Sequence, residues 1–186
     1  MKSEHDIHQQ LEHWLEQVVI GLNLCPFAKH PWQKGQVHIA ISRATNDADL
    51  LTDLATEITD LLARPAAERD TTIIAVTDYL QTFEDYNQFL DWVDALLAQQ
   101  NWQGAVQIAS FHPHYQFADT AADDAENLTN RAPYPLLHIL REASLEKALQ
   151  HYPEDPETIF ANNIDTVQNL TDEQKRSLFP HLFSSN

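Results

Sequence analysis

Glycine, cysteine and basic side chains are scarce in this sequence. Three glycines and one cysteine occur among 186 residues, and 11 lysines and arginines stand against 28 aspartates and glutamates, for a formal charge of −17. The single Cys25 excludes an internal disulfide framework and a multi-cysteine zinc site, and suits a reducing compartment. The sequence has no phosphate-cradling glycine loop, no G-x-S-x-G nucleophile turn and no H-E-x-x-H metal pair. Without a cluster of lysine and arginine it has nothing to attract phosphate backbones or anionic lipid, so neither nucleic acid nor membrane is expected as a partner. No apolar run approaches the length that spans a bilayer, and the opening MKSEHDIHQQLEHW lacks the apolar core of a signal peptide. A cytoplasmic protein is expected.

Hydrophobic residues make up 43% of the chain, enough for one well-filled domain over residues 1–186. Ile7, Leu11, Trp14, Leu15, Val18 and Leu22 recur at three and four and predict an N-terminal helix within residues 1–22. Pro26 and Pro31 make a loop of the stretch that follows. Val37–Ser42, Thr71–Val76 and Ala105–Phe111 read as strands, and Leu50–Leu62 and Tyr86–Leu97 as helices between them. Residues 36–111 therefore predict a βαβαβ unit with right-handed crossovers and a small parallel sheet, which makes the class α/β. A polar loop covers residues 112–134. Helix is expected from Pro135, with a restart at Ser144, and a helical C-terminal tail fills residues 135–186 with segments at Glu157–Leu170 and Asp172–Leu178.

Ligands of such sheets collect beyond the carboxyl ends of the strands, which selects Ser42, Arg43, Thr77, Asp78, His112 and the polar loop. On a helix, His138 and Glu142 would stack on one face beside Arg141 and, with His112 or His114, could hold a divalent metal; the alternative is an ordinary exposed polar face. A divalent metal ion is the one cofactor that this pattern suggests, with His112, His138 and Glu142 as ligands. Asn127, Asn130, Arg131 and Tyr134, ahead of an expected helix N-terminus, make an anion pocket or a capped and tied-down loop in equal measure. Cys25, near Lys29 and His30, reads either as a reactive thiol or as a buried structural one.

Three segments, GLNLCPFAK at Gly21–Lys29, FHPHYQFA around His112 and NLTNRAPYPLLHILREASLEKA from Asn127 to Ala148, resemble the bacterial and plant family named domain of unknown function 1415. A weaker I-x-x-x-N-I match at Ile159, Asn163 and Ile164 carries the resemblance almost to the C-terminus. It implies that Cys25, His112, Asn130, Arg131, Tyr134, His138, Arg141 and Glu142 belong to the family signature. Ala132 stands where members more usually have serine, which excludes a serine-based role there. The resemblance supplies no activity. The residues themselves suggest an enzyme acting on a small anionic metabolite, with Arg131 and Arg141 as anion contacts, His112 as acid or base, and Cys25, His138 and Glu142 completing the catalytic set. The alternatives are a non-catalytic metal- or small-ligand-binding protein, or an interaction scaffold.

Overall fold

The computed structural model describes residues 2–183, so residue 1 and the last three residues of the expected tail lie outside the described residues. Helix α1 (Glu4–Trp14) starts at a capping box in which Ser3 and Asp6 satisfy each other's backbone amides. It buries Ile7, Leu11 and Trp14 and runs into a π-helical turn at Leu15–Ile20. A short α2 (Lys29–Gln33) leads to β1 (Val37–Ser42). The Asn46 side chain caps α3 (Asp47–Ala63), which buries Leu50, Leu54, Ile58 and Leu61 before β2 (Thr71–Val76). Thr82 likewise caps α4 (Phe83–Gln99), and β3 (Val106–Phe111) follows.

The α/β class, the three expected strands and both crossover helices are all present. The chain then departs from expectation. Residues Leu136–Arg141 form strand β4, and helix α5 begins only at Glu142 and ends at Gln150. β4 inserts between β2 and β3, antiparallel to both, so the sheet order is β1-β2-β4-β3 and only β1 and β2 pair in parallel. The expected adjacency of β2 and β3 in a wholly parallel sheet is thereby corrected. LLHILR is apolar on both faces because its strand is covered on both, and a continuous apolar run does not distinguish a buried strand from a helix. Leucine-rich composition pulls such a reading toward helix.

Two helical layers sandwich the sheet. On one face α3 and α4 pack against Ile74, Val76, Leu137 and Ile139. On the other, α1, the π turn and the C-terminal segments pack against Ile39, Ile73, Ala75 and Leu136. Helices α6 (Thr158–Gln168) and α7 (Asp172–Leu178) tie the tail to this second layer through the fully buried Val167 and, just after α7, Phe179. Each such side chain contributes about 1.5–3 kcal/mol. Among the described residues no helix is long and apolar enough to cross a membrane.

Candidate functional site

The polar residues singled out from the sequence fall into three separate places. His112 follows the carboxyl end of β3, whereas Arg141 pairs with Val106 at the other end of that strand. At ~3.3 Å per residue the two lie about 20 Å apart, so Arg141 cannot turn toward His112. The single polar pocket expected over the carboxyl edge does not form.

At that edge, the loop binds itself. Asn127 is fully buried; its carbonyl oxygen accepts from the Phe117 amide at 2.9 Å and the Thr120 hydroxyl at 3.0 Å, and its amide donates to the Ala121 carbonyl. Asn130 donates to the Ser110 carbonyl, and the Arg131 guanidinium to the carbonyls of Tyr115 and Ala122. Tyr134 donates to Gln10 of α1 at 2.7 Å. His112 is fully buried, donates from Nε2 to the Leu80 carbonyl at 3.1 Å and accepts the His114 amide at Nδ1 at 2.9 Å. Both ring nitrogens are used in the neutral form, and burial pushes its pKa down to about 4. Leu80 has φ 55°, a conformation that costs a leucine about 1 kcal/mol or more, and the His112 bond holds it there. His114 is exposed. These groups are mutually engaged and tie the loop together.

At the opposite edge, Arg141 caps a helix. Its Nη2 lies 2.8, 3.1 and 3.0 Å from the carbonyls of Leu61, Arg64 and Arg69, placing a cation at the carbonyl end of α3. Glu142 opens α5, its amide donating to the Ala105 carbonyl. Because His138 lies on a strand, it and Glu142 are about 13 Å apart along the chain instead of stacked on one helical turn. Among the described residues no group of three or more His, Cys, Asp or Glu side chains could hold a metal, which corrects the set His112, His138 and Glu142.

His138 lies between these edges, on the sheet face that also presents Leu136 and Leu140, opposite Ile73 of β2 and Ala109 of β3. It forms part of the floor of a cleft of about 740 Å³. The walls come from the π turn and the Cys25–Ala28 loop on one side and from α5 on the other, with Trp32 of α2 and Ala66 and Ala67 between them. Cys25 and His138, both expected from the sequence, share this cleft. Burial raises the Cys25 pKa, against the smaller opposing effect of the Phe27 and Ala28 amides, so the sulfur is held as a thiol. Burial also pushes the His138 pKa down to about 4, so the ring is neutral near pH 7.

The His138 Nε2 and the Thr71 hydroxyl are 2.8 Å apart. The roles in this bond follow the tautomer: a ring protonated at Nδ1 accepts the Thr71 hydroxyl at Nε2, and a ring protonated at Nε2 donates to it. Nδ1 has no partner among the described residues and is not sealed from solvent, so it is a polar group that the floor offers. At the α5 end, Ser144 donates to Asp70, His151 donates to the Lys147 carbonyl, and the Lys147 ammonium makes no ion pair with a described residue. Thr71, Asp70, Ser144 and Lys147 carried no sequence signal as site residues. Only the placement of β4 next to β2 brings them to His138.

The model of the family described as "Protein of unknown function (DUF1415)" matches residues 6–177, a span that includes every residue of the cleft. No curated protein and no solved structure matches the chain.

Proposed function

Because the chain belongs to the DUF1415 family, whose description assigns no activity, we propose a function from the geometry: the protein binds a small, largely apolar organic molecule in the cleft over His138. One observation carries this reading. A space of about 740 Å³, lined mainly by apolar side chains, has at its floor a neutral imidazole whose Nδ1 has no partner among the described residues. Ligand sites typically measure ~300–1,000 Å³ and combine an apolar wall with a few oriented polar groups. His138 would meet a polar atom of the ligand through Nδ1, and Thr71 holds the ring in place at Nε2.

Binding is favoured over catalysis by the state of the same groups. A thiol with a raised pKa is a poor nucleophile, and an imidazole near pKa 4 is a weak base at neutral pH. The arginines that would have gripped an anionic metabolite are committed to backbone carbonyls. The acidic surface is unsuited to nucleic acid or to the extended surface of an anionic membrane.

Ala148 lines the cleft from α5. In a thermal-shift screen of small apolar compounds, some should raise the melting temperature of the protein, and Ala148→Trp should abolish those shifts while the far-ultraviolet spectrum stays native. Compounds that stabilise both proteins equally would place the binding site elsewhere.

A further inference from the structure

We infer that the ligand of this cleft is an amphiphilic carboxylate, its apolar body over the sheet face and its anionic head at the rim beside Lys147 and His151. This rests on the binding reading above and adds the chemical class of the molecule.

The first argument is charge. The chain carries 28 acidic side chains, yet Asp70 is the only one lining the cleft, where Lys147 and Arg141 supply two cations. Asp70 accepts from Ser144 in the first turn of α5, where the free amides of the helix start favour a carboxylate. Arg141 directs Nη2 to the end of α3. Lys147 is exposed and makes no ion pair with a described residue, leaving a cation at the mouth of a cleft in a protein of charge −17. The overall charge opposes an anion, so its selection rests on the local cation at Lys147.

The second argument is where that anion can sit. The floor holds Thr71, Ile73 and His138, and burial keeps the imidazole uncharged. A carboxylate there would lose its hydration without gaining a cation. At the rim it keeps water and meets Lys147, on a flexible stem that can follow ligands of different length. The carbonyl end of α5 would oppose it, but His151 donates to the Lys147 carbonyl in that last turn and offsets part of the effect.

Titration of the full-length protein near neutral pH with decanoate and with 1-decanol separates the inference from its foundation. Decanoate should bind about fivefold more tightly, the scale of an exposed ion pair. Added salt should narrow the gap. Lys147→Gln should bring decanoate down to the affinity that the same variant shows for decanol. Equal affinities in the wild type, or a preference that survives Lys147→Gln, would overturn the anionic head while leaving an apolar binding cleft. If neither compound binds, the inference fails together with the binding reading.

Discussion

Thr71 and His138 meet diagonally across the antiparallel β2–β4 pair, with Oγ1 and Nε2 2.8 Å apart, on the face of the sheet that the N-terminal layer covers. Their immediate sheet neighbours on that face are apolar: Ile73 and Ala75 on β2, Leu136 and Leu140 on β4. A polar pair in an apolar floor costs desolvation that a Val–Leu pair would not, so its presence is explained by a ligand more readily than by stability.

Thr71→Val with His138→Leu together should leave stability unchanged or slightly raised. Either substitution alone should cost about 1–3 kcal/mol, because it leaves one buried partner unsatisfied. Urea unfolding of the three variants gives the cycle. A double variant as unstable as the sum of the singles would show that the two side chains are not coupled.

Acid should weaken the fold through its buried histidines. His112, His138 and His181 have folded pKa values of about 4, below the ordinary 6.5, all through burial first. The unfolded chain takes up protons that the folded chain refuses, so the stability they contribute is complete above about pH 6.5 and is lost as the pH falls toward 4. For the fully buried His112 the full loss is roughly 3 kcal/mol. Urea midpoints measured between pH 7 and pH 5 should fall steadily, and less steeply in the Thr71→Val/His138→Leu double variant. A midpoint flat across that range would contradict the burial of these rings.

Arg141→Ala should destabilise the protein by about 2–3 kcal/mol without changing the affinity of any neutral cleft ligand. The guanidinium satisfies three carbonyls at the end of α3, and its loss exposes them to poor solvation. Arg141→Lys should recover only part of the stability. An alanine variant with native stability and lost ligand binding would reverse the assignment.

Cys25 should react slowly with iodoacetamide near neutral pH and much faster in urea, since burial raises its pKa and the residue is partly buried. A cleft ligand should slow the native reaction further, because Cys25 lines the same space. Native labelling as fast as unfolded labelling would show that the wall at Cys25 is open.

Gly21→Ala should be costly although its site is exposed. An added Cβ would press on the Gln17 carbonyl oxygen and come within 3.0 Å of the Glu16 oxygen, so the backbone leaving the π turn would have to shift. A drop in melting temperature with faster Cys25 labelling is expected. Unchanged values for both would mean that the turn absorbs the methyl group freely.

The sequence by itself determined the elements whose periodicity is one-sided. Helices α1, α3 and α4 bury residues at three and four, while the β-branched TTIIAV could be little but a strand. It also marked Cys25 and His138, which the fold brings to one cleft. Tertiary structure alone decided that LLHILR is a strand, because burial on both faces erases the alternation that would have identified it. That one placement decided the rest. It carried His138 away from Glu142 and away from His112, and it set Thr71 at hydrogen-bonding distance from the ring. It also turned Arg141 toward the carbonyls that end α3. Contacts between residues 67 or 80 positions apart have no local signature; they follow from which strand lies beside which, a choice made by the packing of whole layers.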